Sequence, residues 1–471
     1  MEKEQFLQQK EAGKTFLVIE QTEGDLVTPI VLYQRLQGTK KFLLESSLRQ
    51  DEKGRYSFIG SNPYLEIKSK EEQVELQFQD RVEMREGKVL DVIGDILPFH
   101  EVESPFPFCG GAIGYVGYDV IRQYEVLGEV NVDDLQMPEA HMMFYNTFLV
   151  YDHKMQTVSF VYVYRAGEET SYEEVGEVLQ QLKGQVMEGM TVHASLGRLD
   201  ANFTSNVTKD QFMDMVETAK EYIRAGDIFQ VVLSQRLQTQ FAGDPFGLYR
   251  RLRLTNPSPY MFYIDFTDYI VLGSSPESLL AVHGKKVTTN PIAGTRPRGA
   301  TPERDKQIEE ELLDNEKEKA EHLMLVDLGR NDLGFISEIG SVQLDKFMAV
   351  ERYSHVMHLV SEVSGQLRDG MTCLDALQHC LPAGTVSGAP KIRAMTIIDE
   401  LENRKRNVYA GTVGYISFAG DMDMALAIRT MVVKDNNAYI QAGAGVVYDS
   451  SPEAEYDETI NKAKALLEVM K

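Results

Sequence analysis

The stretch YAGTVGYISFAGDMDMALAIRTMVVKDNNAYIQAGAGVV, residues 409–447, decides how the chain is read. Its apolar runs predict three strands, over 409–418, 422–433 and 437–447, with no helix between them. Strands that follow one another so directly pair antiparallel. Working outward, strands are expected at Ile228–Leu237, Tyr260–Phe266, Tyr269–Ser274 and Val287–Pro291. Apolar residues at three- and four-residue spacing predict helices over 172–190, 208–225, Phe246–Leu254, about 302–328 and about 452–470. Nearer the start lie strand-like runs at Thr15–Ile19, Lys41–Glu45 and Tyr56–Ile59, a glycine-rich turn at Gly110–Tyr115, and strands at Met142–Asp152 and Thr157–Arg165. Strands in antiparallel runs between helices indicate an α+β fold. The polar, aperiodic segment His193–Asn206 suggests a boundary near residue 200, dividing 1–200 from 201–471.

The chain has 471 residues, 43% of them hydrophobic and 25% charged, an ordinary soluble composition with about three domains or fewer. Its 48 Lys and Arg face 72 Asp and Glu, a net charge of -24. That field repels phosphate backbones and anionic membranes, so neither nucleic acid nor membrane is expected as a partner. An anionic substrate would need a local pocket that overrides the global charge. The odd number of cysteines, Cys109, Cys373 and Cys380, argues against a disulfide framework and for a reducing compartment such as the cytoplasm. No signal peptide and no membrane-spanning run is expected.

Two helices carry paired acids. The first starts at Thr301-Pro302, an N-cap and N1 pair, and turns apolar from Ala320 onward. Glu318 and Glu321 sit three apart where it enters the core. The last helix starts at Ser451-Pro452 and carries Glu455 and Glu458 at the same spacing. Such carboxylates suit Mg²⁺, which takes hard oxygen ligands and keeps several waters. The plainer alternatives are an Arg or Lys partner for Glu321 and simple dipole complementation at the last helix. The segment Ala383–Pro390 leads into a helix whose free amides suit an anion, and Gln441–Gly445 lets backbone approach a ligand closely. Arg429 inside an apolar strand needs a fixed carboxylate nearby. His358 reads either as a satisfied core residue or as a catalyst.

Many ordered motifs then make the chain resemble the chorismate-utilising enzymes, and among them the component I subunits of anthranilate synthases. They include LLESS, GGAIGYVGYD, GDIFQVVLSQR, NPSPYMFY, GSSPESLL, PIAGTRPRG, AEHLMLVDLGRNDLG, RYSHVMHLVS, PAGTVSGAPKIRAM, IRTMVV and QAGAGVVYDSSPEAEYDE. Residues 15–150 resemble that family's N-terminal domain and about 205–465 its chorismate-binding domain. The resemblance implies a layered α/β/β/α core of two antiparallel sheets with outer helices. It implies Glu321 and Glu458 as Mg²⁺ ligands, supported by Glu318 and Glu455. Arg429 and Tyr409 would hold the enolpyruvyl carboxylate, helped by the Gly445 amide beside Gly443 and Ala444. Gly294, Thr295 and Thr385 would line the ring. Glu277 would protonate the departing C4 hydroxyl, and His358 would assist loss of pyruvate. Gln230 stands where water-adding members carry a lysine base, which favours ammonia as nucleophile. Ala293 stands where a covalent lysine occurs in many aminodeoxychorismate synthases. None of the three cysteines lies in an amidotransferase elbow, so a glutamine amidotransferase partner, the component II subunit, is implied. Glu45, Ser46, Pro259, Tyr260, Met261 and Tyr415 would form an inhibitory L-tryptophan site. The alternatives are an aminodeoxychorismate synthase component I and a non-catalytic regulatory subunit.

Overall fold

In the computed structural model, which describes residues 1–46, 54–97, 99–190, 198–199, 203–352 and 356–467, the decisive stretch forms two hairpins rather than one meander. Thr412–Ser417 pairs with Met422–Leu426 around Gly420, whose φ of 83° suits a turn. Thr430–Lys434 pairs with Asn437–Val446 through Asp435 and Asn436, both left-handed at φ 50° and 58°. Two such residues match the twist of a two-residue hairpin. The strand expected over 422–433 is therefore broken, and its halves lie in different sheets. The break falls at Arg429, which adopts φ 48°. That conformation costs a non-glycine residue roughly 1–3 kcal/mol, so surrounding contacts must hold it.

Among the described residues the two sheets have 13 and 12 strands, and every named strand pairing within them is antiparallel. Both draw strands from each side of residue 200. In the first, Phe42–Glu45 pairs with Tyr260–Asp265. In the second, Gly111–Val116 pairs with Thr412–Ser417. The boundary expected near residue 200 falls on residues outside the described ones.

Alternation assigns the layers. Along Tyr260–Asp265, Phe262 and Ile264 join the core shared by the sheets, while Met261 and Tyr263 join a second core under the outer helices. Those helices are Tyr172–Glu188, Pro245–Thr255 and Pro452–Leu467. Strands Gly111–Val116, Ala140–Tyr145 and Thr412–Ser417 are buried at every position, which requires cover on both faces. Val89–Ile96, Cys373–Cys380 and Glu316–Ile336 supply helices on that side. The result is the expected helix, sheet, sheet, helix stack.

Three local expectations are corrected. Gly110–Tyr115 contributes a strand, not a turn, because its glycines let neighbouring strands close in; a Cβ on Gly114 would lie 1.9 Å from the His141 carbonyl oxygen. The helix expected over 302–328 is two helices, Pro302–Leu313 and Glu316–Ile336. Thr301 caps the first as expected, but Asn315 starts the second by accepting the Glu318 amide at 3.0 Å. The sequence Ala383–Pro390 also leads one to expect Pro390 as the first helical residue, but it is the N-cap of Lys391–Leu401.

Candidate functional site

The chain passes between the sheets twice at one place. Tyr269–Ser275 ends in the first sheet and Ser278–His283 begins in the second, with Glu277 on the link. Met422–Leu426 and Thr430–Lys434 return the other way, with Arg429 on theirs. The two links are bonded together. The Leu426 amide donates to the Glu277 carbonyl at 2.9 Å, the Ser274 amide to the Arg429 carbonyl at 3.1 Å, and Ser275 Oγ to the Leu426 carbonyl at 2.7 Å. The Glu277 and Arg429 links are thus tied to one another through their backbone.

Glu277 is buried, and its carboxyl accepts from Thr385 Oγ1 at 2.9 Å. Desolvation pushes it up to about 7, against the opposing pull of Thr385, Lys462 and Arg429. It can therefore hold a proton near neutral pH. His358 lies on Val356–Gln366, across from Thr295 in register. Burial, then the Arg429 charge, holds its ring down to about 4, so it is neutral at pH 7. The Arg429 charge acts on both the Glu277 carboxyl and the His358 ring.

The glycines of the site are packing decisions. A Cβ on Gly443 would lie 2.6 Å from the Tyr409 hydroxyl, and one on Gly445 would lie 2.6 Å from Gln230 Nε2. Ala444 stands between them on Asn437–Val446. Gly294 takes φ 63°, and a Cβ there would meet Glu318 Oε2 at 3.1 Å. Glu318 also accepts from Arg296 Nη1 at 2.9 Å. Glu321 lies one turn further along that helix, half-buried. On the last helix Lys462 Nζ donates to Glu458 at 2.7 Å and to the Gly443 carbonyl at 3.0 Å. Glu455 lies one turn before Glu458. Among the described residues, no three His, Cys, Asp or Glu side chains form a metal-binding group by themselves. Carboxylates from two helices still fit a hard cation that takes few protein ligands, and Arg296 and Lys462 balance two of them here.

A second pocket lies between the sheets at the Tyr260 end of Tyr260–Asp265, the end that pairs with Ser275. Ser46, Pro259, Tyr260, Met261 and Tyr415 line it, as does Glu45. The Glu45 carboxylate is already engaged, accepting from Tyr249 Oη at 2.7 Å and Arg253 Nε at 2.9 Å. Strand parity explains this: Glu45 follows Leu43 to the helix side, while Phe42 and Leu44 face the intersheet core. Glu45 therefore lines the pocket with its carboxylate shared with Tyr249 and Arg253. Asp423, which accepts from Tyr260 Oη at 3.0 Å, is the other acid of that pocket.

Asp423 and Lys462 are the residues that sequence reasoning missed. Each had a signal. Asp423 is a lone acid inside the apolar run Met422–Leu426, and Lys462 lies four residues after Glu458 on one helix face.

A family model described as chorismate binding enzyme matches residues 40–468. Anthranilate synthase component 1 of Acetivibrio thermocellus is 46% identical over 95% of this chain and 93% of its own length. That of Aquifex aeolicus is 44% identical over 95% and 92%. The crystal structure of anthranilate synthase component I from Streptococcus pneumoniae superposes with TM-score 0.81 at 45% identity, covering 94% of this chain and 98% of that one. The menaquinone-specific isochorismate synthase of Escherichia coli, at 18% identity and TM-score 0.75, shares the fold.

Proposed function

The chain belongs to the chorismate-binding enzymes, and on that premise we propose that it converts chorismate and ammonia into anthranilate and pyruvate, as an anthranilate synthase component I. The observation that carries the reading is a buried acid able to hold its proton and a neutral histidine, both under the charge of the same arginine on the crossover. Arg429 and Tyr409 hold the enolpyruvyl carboxylate, with the Gly443–Gly445 backbone against it. Gly294, Thr295 and Thr385 line the ring. Glu321 and Glu458 would hold Mg²⁺, with Glu318 and Glu455 in support; bound there, the ion would neutralise the ring carboxylate and draw electrons from the ring. Glu277 gives its proton to the C4 oxygen, which leaves as water. Gln230 has no basicity to activate water, so ammonia attacks C2. Neutral His358 takes the C2 proton as pyruvate departs.

Ammonia is supplied by a separate glutamine amidotransferase subunit. The pure chain with chorismate and Mg²⁺ is expected to form fluorescent anthranilate from ammonium salts and none from glutamine. An aminodeoxychorismate product without pyruvate would overturn the reading in favour of the folate branch. No described helix is long and apolar enough to cross a membrane; we place the enzyme in the cytoplasm, where its substrates are.

The intersheet pocket is the site of inhibition by L-tryptophan. Pro259, Met261 and Tyr415 wall the indole, Ser46 supplies a hydroxyl, and Asp423 rather than Glu45 faces the ammonium. The pocket joins strands from both ends of the chain, so a ligand there couples to the crossover through Met422–Leu426. Inhibition requires tryptophan to prefer the arrangement that binds chorismate poorly. Ser46→Phe is expected to fill the pocket and raise the inhibitory concentration of tryptophan at least about tenfold, with uninhibited turnover retained. Inhibition curves for wild type and variant check this; superimposable curves would refute it.

A further inference from the structure

Glu277 and Asp332 line one cavity, Glu277 from the crossover and Asp332 from the helix Glu316–Ile336. Ser278 lines it too, and its Oγ is buried with no hydrogen-bond partner among the described residues. A buried hydroxyl left so costs about 1–3 kcal/mol, and the usual remedy in a polar cavity is a bound water. Thr385 Oγ1 is already committed to Glu277. Asp332 accepts from Lys391 Nζ at 2.8 Å, and these side chains are 14% and 15% exposed, so the pair reaches the surface.

The reaction proposed above, on which this inference rests, leaves Glu277 short of a proton. As the C4–O bond breaks, Glu277 protonates the oxygen and water leaves. As the N–C2 bond forms, the new ammonium group gives one proton to solvent water on its own side of the ring, not to Glu277. Ammonia and a hydroxyl have become an amine and water, but Glu277 is now a carboxylate. It is 8% exposed, so direct return of a proton from bulk water is obstructed.

We propose that this cavity is the route by which Glu277 regains its proton, with water on Ser278 linking it to Asp332 and Lys391 tying Asp332 to the surface. The surrounding groups suit that task. Burial raises the Asp332 carboxyl, opposed by Lys391 and His379, so it exchanges protons more readily than an exposed aspartate. At the other end Lys462 and Arg429 oppose the raised Glu277. Cys380, also in the wall, is pushed far up by burial and stays protonated. Leu325 and Leu328 close the rest with apolar surface.

Asp332→Asn and Ser278→Ala are tested in the full chain with chorismate, Mg²⁺ and ammonium. Asp332→Asn is expected to lower kcat roughly tenfold, less than loss of the acid itself, with the KM for chorismate unchanged. Imidazole buffer should restore kcat saturably, because a small acid can carry the proton, and the solvent deuterium isotope effect on kcat should rise. Ser278→Ala should show the same behaviour more weakly, and it decides alone if Asp332→Asn does not fold. A merely structural Asp332–Lys391 pair would lower stability or kcat without buffer rescue. Variants that keep the wild-type isotope effect and ignore imidazole overturn the relay while wild type still makes anthranilate. A wild type that makes none overturns the function proposed above instead.

Discussion

Glu277→Gln is expected to lower kcat by about two to four orders of magnitude, the usual worth of a positioned general acid. The substitution is isosteric, and the amide oxygen can still accept from Thr385 Oγ1, so the fold and the wall of the site persist. What disappears is the transferable proton. The sign of the pH dependence follows from burial, which lifts the carboxyl from 4.5 to about 7. The active protonated form is full below 7 and is lost as pH rises through it. At a fixed concentration of free ammonia, wild-type turnover should fall above about 7, and the small residual rate of the variant should not. Stability moves in a related way. The folded state holds this proton when the unfolded chain has released it, so wild type loses stability between 4.5 and about 7. The Gln variant lacks that loss. Steady-state rates and melting curves across pH check both, and wild-type kcat in the variant would end the assignment.

Glu321→Gln and Glu458→Gln should each cost at least about a hundredfold in turnover, more than the loss of a group that only supports a metal ligand. Each removes a full negative charge from the donor set offered to Mg²⁺ while keeping side-chain size. The cost to folding should be small at Glu458. Its partner Lys462 is 51% exposed, and such a pair is worth about 0–1 kcal/mol. Lys462 also keeps its bond to the Gly443 carbonyl. Magnesium titration of activity is the measurement: the variants should need far more Mg²⁺, and their melting temperatures should stay near wild type. Unchanged turnover in either variant would remove that residue from the metal site.

Much of the fold was legible because local rules and packing agree. Thr301 caps its helix, and Ser171 and Thr208 form capping boxes at the starts of the helices read over 172–190 and 208–225. Most strands of the first sheet match their apolar runs, but the strand expected over Met142–Asp152 is broken into Ala140–Tyr145 in the second sheet and Thr147–Asp152 in the first, as 422–433 is, because a continuous apolar run does not show where the chain changes sheets. Glycine misled at Gly110–Tyr115, since a turn and a close strand crossing call for the same missing Cβ. The charged run through Asp314-Asn315 hid a helix break, since a polar face shows no period to interrupt.

The candidate site divides the same way. Sequence by itself determined the family, the helix faces bearing Glu318, Glu321, Glu455 and Glu458, and the oddity of Arg429 in an apolar run. Those follow from residue type and spacing along one segment. Only the tertiary structure decided that 422–433 crosses between sheets at Arg429, that Glu277 waits on the neighbouring crossover, and that Lys462 reaches both Glu458 and the Gly443 carbonyl. It also decided that Glu45 is bonded to Arg253 where it lines the second pocket, and that Asp423 lines that pocket too. Each depends on partners far apart in the chain, on which face of a strand is buried, and on how much water is excluded there. Those are properties of the packed sheets, and they set whether a carboxyl is an ion or a proton donor.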